Sequence, residues 1–302
     1  MIPLFSSVTI IGLGLIGSSI ARAIRLHMPD VRLSGYDASA TVRARAAELS
    51  LVDDVAERAG TAVRGSELVI LCVPIGAMAS VADSFKTDLA ANAIVSDVGS
   101  SKASVAAILR EALPGVHIVP AHPVAGTENS GPDAGFSSLF QGRWCILTPP
   151  EGTDSDIVDK MSQFWRGLGA NVEIMAAEHH DLVLAVTSHL PHLIAYTIVG
   201  TAADMEQVTR GEVIKFSAGG FRDFTRIAAS DPTMWRDIFL SNRDAVLEML
   251  QRFTEDLTAL QRAIRWGDGT KLFDLFSRTR SIRRSIIEQG QDDAAADFGR
   301  RH

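Results

Sequence analysis

Near its start the chain carries Val8-Thr9-Ile10-Ile11-Gly12-Leu13-Gly14-Leu15-Ile16-Gly17, an apolar β-type run leading straight into three glycines spaced G-x-G-x-x-G. Glycines at that spacing allow a tight turn and let a backbone approach a pyrophosphate, whose charge the next helix N-terminus stabilises. The pattern then behaves as a dinucleotide site requires. Leu15 to His27 reads as a helix stopped by Pro29, and Val31 to Tyr36 reads as a second strand closed by Asp37. An acidic residue about twenty positions beyond the last glycine suits a free ribose 2′-hydroxyl and repels a 2′-phosphate, which points to NAD rather than NADP. Arg43 and Arg45 follow closely, and either is placed in sequence to approach a phosphate.

Working outward, a third strand runs from Leu68 to Val73 and ends at Pro74. A fourth runs from Ala93 to Ser96 and leads into Asp97-Val98-Gly99-Ser100. A fifth, Val116 to Pro120, delivers His122, and Trp144 to Thr148 reads as a sixth. A helix over Ile157–Leu168 precedes a last strand, Val172 to Met175. Strands spaced by helices predict an α/β fold, a Rossmann-type doubly wound parallel sheet over residues 1–175. Gly12, Gly14, Leu15, Ile16, Gly17, Asp37, Val73, Pro74 and Ser100 then fall on its cofactor edge. From Ala177 onward the pattern is helical. It predicts an all-helical substrate and dimerisation domain over 176–290 and a flexible tail over 291–302. Asp231-Pro232 is a strong helix start, with a cap and then proline at the first helical position, and the pattern it opens runs to about Trp266. Another helix spans Asp268 to Gln289, and the length of these helices suits pairing with a second copy of the chain.

The 302 residues are 46% hydrophobic and 22% charged, with a net charge of −7. That balance is ordinary for a globular protein and argues against nucleic-acid binding. An anionic substrate would need local arginine or lysine to overcome the acidic field. Cys72 and Cys145 lie in apolar strand-like runs and read as buried thiols of a reducing cytoplasm. The first residues lack the basic region and cleavage site of a signal peptide, and no apolar stretch reads as long and pure enough to span a bilayer, so no membrane partner is expected.

The chemistry concentrates in three motifs. In Ala121-His122-Pro123-Val124-Ala125-Gly126-Thr127-Glu128, position alone leaves His122 two readings: a structural histidine closing a strand, or a base at the crevice. Ser100, at a neighbouring strand end, is within reach of the same crevice and could hold a substrate oxygen. In Ser188-His189-Leu190-Pro191-His192, the two histidines share a helix face. They are either satisfied by neighbours or turned to a substrate. Glu178, His179, His180 and Asp181 lie nearby, but neither HExxH nor a zinc spacing is present, so no metal is expected. In Gly219-Gly220-Phe221-Arg222-Asp223-Phe224-Thr225-Arg226, two arginines four apart suit carboxylates or form a solvated face paired through Asp223.

GLGLIG, DVGSSK, HPVAGTENSG, SHLPH and GGFRDFTRIAASDPTMWRDIF together resemble the prephenate/arogenate dehydrogenase family of tyrosine biosynthesis, over nearly the whole chain. The last three motifs are far more specific than the glycine fingerprint. The resemblance implies NAD-dependent oxidative decarboxylation of prephenate to 4-hydroxyphenylpyruvate by a homodimer. Arogenate, or both substrates, is the alternative. It implies that His122 is the catalytic histidine on the ring hydroxyl, assisted by Ser100. His192 lines the substrate pocket, Arg226 binds the ring carboxylate and Arg222 lies near the substrate side chain. Glu128 and Asp223 join a polar network at the pocket mouth, and Thr127 and His189 count with the substrate-binding residues. Trp235 resembles a tryptophan that reaches the pocket from a partner subunit. A β-hydroxyacid dehydrogenase also joins such a sheet to helices, but it needs a lysine on its first long helix, and none occurs between Lys160 and Lys215. A non-catalytic NAD-sensing module would not need His122, Ser100 and two arginines together.

Overall fold

β1 (Ser7–Ile11) ends in the glycine turn, and α1 (Leu15–His27) begins directly after it. The computed structural model describes residues 4–127, 129–209, 212–216 and 219–288. β2 (Arg32–Tyr36), α2 (Ala40–Glu48), β3 (Asp54–Val55), α3 (Ala59–Val63), β4 (Leu68–Leu71), α4 (Met78–Phe85), β5 (Ile94–Asp97), α5 (Ala103–Ala112) and β6 (His117–Ile118) follow. The six strands form one parallel sheet in the order β3-β2-β1-β4-β5-β6. The strand order reverses between β1 and β4, which opens a crevice at their carboxyl ends.

Both faces of this sheet are covered, and its central strand β4, Leu-Val-Ile-Leu, is apolar and buried throughout. Along β4, Leu68 and Ile70 pack with Ile20 and Ile24 of α1. Val69 and Leu71 pack on the opposite face with Phe85 and Leu109. Each large side chain fully buried in this way contributes about 1.5–3 kcal/mol.

Three strand readings need correction. Val116–Pro120 is not one strand. β6 stops at Ile118, and the chain re-enters as β7 (Ala121–Pro123) in a separate sheet. Pro120 has no N–H to continue a ladder, and its carbonyl accepts instead from the Thr148 amide at 2.9 Å. β8 (Trp144–Leu147), expected in the parallel sheet, pairs antiparallel with β7. β9 (Asn171–Ile174), which follows α6 (Ser155–Gly167), runs parallel to β8. The two-residue strand β3 has no counterpart in the sequence reading.

The helical part begins with α7 (Ala177–Leu184), a π-helical turn over Ala185–His189 and α8 (Leu190–Thr209). Residues 177–205 form a helix long and apolar enough to cross a membrane by length and composition, contrary to the sequence reading. The three segments continue one another through Glu178–Asp181 and Ser188–His192, so the two histidines of the second motif lie on helix as expected. α9 (Glu212–Lys215), α10 (Gly219–Thr225) and α11 (Pro232–Ser241) follow. α11 is capped as expected, the Asp231 carboxylate accepting from the Met234 amide at 2.7 Å. The single helix expected to Trp266 is divided, because α11 closes at Asn242 before α12 (Arg243–Arg265) starts. α13 (Gly269–Glu288) ends the described chain. The chain divides into two compact units, residues 1–246 and 247–302. The expected tail over 291–302 lies outside the described residues.

Candidate active site

The glycine turn is built for close approach. Gly12 adopts φ +98°, and a Cβ on Gly17 would collide with the Gly12 carbonyl oxygen. Nothing lies within 4 Å of a Cβ placed on Gly14, so the turn is open on that side. Gly14 caps α1 without a side chain, and the first turn, with Leu15 and Ile16, carries no carboxylate. Its amides are therefore left to an anion, as a pyrophosphate requires. Asp37 lies beside this turn. Its Oδ2 accepts from the Leu13 amide and its Oδ1 from the Ser39 amide, each at 2.9 Å. Lone pairs remain on both oxygens for ribose hydroxyls. Arg43 is folded back onto the Asp37 and Ala38 carbonyls, and Arg45 is held by Asp133 and Glu48. Pro74 caps the short turn Ile75–Ala77 after β4, and the Val73 side chain borders Gly12. The nucleotide-contact residues fit a dinucleotide.

His122 sits mid-strand in β7, opposite Ile146, and is 7% exposed. Its Nδ1 lies 2.8 Å from Nε2 of His180, and Nδ1 of His180 lies 2.8 Å from Oδ1 of Asp181. Asp181 also accepts from the Lys102 amide at 2.7 Å and the Ala103 amide at 2.9 Å, at the start of α5. The Lys102 ammonium is fully buried, donating to Asp97 and, at 2.8 Å, to the Ala121 carbonyl. Burial pulls the His122 ring well below the ordinary histidine range, with His180, Lys102 and His189 adding to the shift. Burial also lowers His180, against the opposing pull of Asp181. Within the ion pair, burial raises the Asp97 carboxyl and lowers the Lys102 ammonium, each partly held by its partner. His180, Asp181, Lys102 and Asp97 are absent from the sequence-based assignment. The only signal they leave there is a Glu-His-His-Asp run opening a helix and a lysine in the Ser100 motif.

The facing wall comes from the helices. The π-helical turn, an irregularity often found at functional sites, brings in His189, which is fully buried. Asn242 donates to its Nδ1 at 3.0 Å, and its Nε2 has no partner among the described residues. Burial lowers His189 to about 4, against the pull of Asp181. Ser100 is half-buried between β5 and α5. His192 bonds the Ser188 carbonyl at 2.9 Å and stacks on Trp235. Trp235 is 6% exposed and packs in the core of its own chain, against His192, His189 and Phe239. Within this chain α11 packs against the Ile75–Ala77 turn, and the indole shares a core with Ile75.

The outer residues are more loosely gathered. Arg226 is exposed in the short turn after α10; burial lowers His192, the Ser188 carbonyl opposes it, and the Arg226 charge adds a smaller push downward. Arg222 is 76% exposed and pairs with Asp223 at 3.8 Å. Thr127 is exposed and accepts from the Asn129 amide. Glu128 lies outside the described residues.

Family models now place the chain. Residues 20–174 match the nucleotide-binding domain of prephenate dehydrogenase, and residues 176–278 match its dimerization domain. The chain belongs to the prephenate dehydrogenase family. It is 46% identical to the cyclohexadienyl dehydrogenase of Zymomonas mobilis over 93% of this chain and 96% of that one. It is 33% identical to the prephenate dehydrogenase of Bacillus subtilis over 92% of this chain and 75% of the relative. The crystal structure of A. aeolicus prephenate dehydrogenase with hydroxyphenyl propionate and NAD+ superposes with a TM-score of 0.87 at 32% identity, over 93% of this chain and 98% of that one.

Proposed function

We propose that the chain is an NAD-dependent dehydrogenase that converts prephenate to 4-hydroxyphenylpyruvate and CO2. The observation that carries this reading is a buried histidine, His122, in the same nucleotide-binding half of the chain as the glycine turn and Asp37. The amides of Leu15 to Gly17 and the Asp37 carboxylate hold the dinucleotide. NAD, when bound, supplies the acceptor for the hydride leaving the hydroxyl-bearing ring carbon. His122 has one ring nitrogen engaged by His180, so Nε2 meets the substrate. It accepts the hydroxyl proton as that carbon is oxidised. Loss of the ring carboxylate as CO2 makes the ring aromatic, and His122 returns the proton to the phenol oxygen. Burial favours this return, because it disfavours the charged imidazole. Arg226 holds the ring carboxylate, Ser100 the hydroxyl oxygen, and His192 lines the pocket. His189, Arg222 and Thr127 complete the substrate-binding set.

A second reading is supported by the relative named cyclohexadienyl dehydrogenase: arogenate, the amine counterpart of prephenate, is also turned over. The working unit in this proposal is a homodimer. Residues 176–278 match a dimerization domain, and Val186, Ile198, Val199 and Met205 are exposed on the long apolar helix. A second copy would cover those side chains without a membrane. The free thiols Cys72 and Cys145 suit a cytoplasmic setting. The functional division falls at about residue 175. The test is NADH formation on mixing the protein with NAD and prephenate, with equimolar CO2. Absence of NADH with both prephenate and arogenate would overturn the reading.

A further inference from the structure

We propose that His180 and Asp181 are positioning residues that fix the proton of His122 on Nδ1 and present Nε2 as a bare acceptor. The inference rests on reading His122 as the base. It follows from donors and acceptors. The backbone amides of Lys102 and Ala103 can only donate, and they occupy both oxygens of Asp181. Asp181 therefore acts as an ionised acceptor, and Nδ1 of His180, 2.8 Å from Oδ1, must carry a hydrogen. A neutral imidazole has one N–H, so Nε2 of His180 is a lone pair. His122 Nδ1, 2.8 Å from that lone pair, must then donate. Its own Nε2 is left without a proton, as the base needs.

The carboxylate end of this relay is held firmly. α5 directs its first amides at Asp181, and a helix N-terminus favours an anion there. Asn242 donates to the Asp181 carbonyl at 2.8 Å, which ties the middle of α7 to the end of α11. The charged and titratable groups facing the relay are Lys102 and Asp97 beneath it and His189 beside it. With the opposite tautomer, His122 would offer an N–H to the substrate hydroxyl and could not accept its proton.

The test compares His180→Leu with His180→Gln. Glutamine can accept from His122 with Oε1 and donate to Asp181 with Nε2, so it preserves the tautomer without an imidazole. Nitrogen-15 NMR of the unmodified protein should show His122 protonated on Nδ1. His180→Leu should lose that signature, lower kcat by about a hundredfold and displace its pH profile, with KM for NAD unchanged. His180→Gln should restore the signature and most of kcat. A His122 protonated on Nε2 in the unmodified protein would overturn the proposal, as would a leucine variant with unaltered tautomer and pH profile. The NMR measurement needs no substrate, so its result is separate from whether prephenate is turned over.

Discussion

The His192 ring lies flat on the Trp235 indole, with centroids 3.6 Å apart and 23° between the planes. The stack ties a half-buried histidine of α8 to the core that holds Trp235 of α11. The indole nitrogen is buried with no partner among the described residues. Trp235→Phe therefore removes no hydrogen bond and should hold stability within about 1.5 kcal/mol of the parent. Trp235→Ala should cost about 3–5 kcal/mol, as truncation of a buried aromatic does. Denaturant midpoints measure both. Equal losses would show that the ring stack is immaterial.

His122→Asn should keep the fold and NAD affinity but lower turnover by about 10²–10⁴, the range of a positioned acid–base group. Steady-state kinetics with prephenate decide it, and turnover within threefold of the parent would remove His122 from the mechanism.

Asp37 should make NAD the preferred oxidant. Asp37→Asn keeps an acceptor for one amide but loses the charge that binds ribose hydroxyls and repels a 2′-phosphate. Charge-assisted hydrogen bonds contribute about 1.5–3 kcal/mol, so kcat/KM for NAD should fall by about tenfold or more. The value for NADP should rise. A higher kcat/KM with NADP than NAD in the unmodified protein would contradict the role given to Asp37.

Arg226→Ala should raise KM for prephenate. Arg226 is exposed in the free chain, so screening trims what a fully desolvated pair would provide. An effect of about tenfold to a hundredfold is expected, or about 1.4–2.8 kcal/mol. An equal rise in KM for NAD and prephenate would make the residue structural.

Acid should destabilise the fold before it protonates the site. His189 is neutral in the folded chain, held down to about 4, against an ordinary value near 6.5. The unfolded chain takes up a proton below about 6.5 and the folded chain does not. Stability is therefore full above pH 6.5 and is lost as pH falls toward 4, by about 3 kcal/mol from this residue. His122, His180 and His192 are lowered too and act in the same direction. Unfolding midpoints between pH 7 and 4.5 give the slope, and His189→Gln should flatten it.

The nucleotide half is readable in the sequence because its signals are local. Gly12 to Gly17 follow an apolar run and open a helix, and Asp37 closes the next strand. The sheet break at Val119–Pro120 is not readable. Val116–Pro120 is uniformly strand-like, and the partner that takes the Pro120 carbonyl, Thr148, lies far along the chain. β3 is too short to show a period. The His122–His180 contact joins residues 58 positions apart. Nothing in Glu-His-His-Asp tells which ring turns inward until α7 is packed against α5. Lys102 is hidden for a related reason. A lysine in a serine-rich turn reads as exposed, and only the carboxylate of Asp97 and the Ala121 carbonyl make its burial tolerable.

His122 is carried by a strand whose neighbours, Ala121 and Pro123, are in register with Leu147 and Cys145. The base of the proposed mechanism is thus mounted on a ladder rather than on a loop, and loop remodelling leaves it in place. In the proposed mechanism, most of the residues that would set selectivity among related ring acids, His189, His192, Arg222 and Arg226, lie in the helical part of the chain. Libraries aimed at new substrates belong on residues 186–226, while changes in β7 or beneath it would trade away the reaction itself.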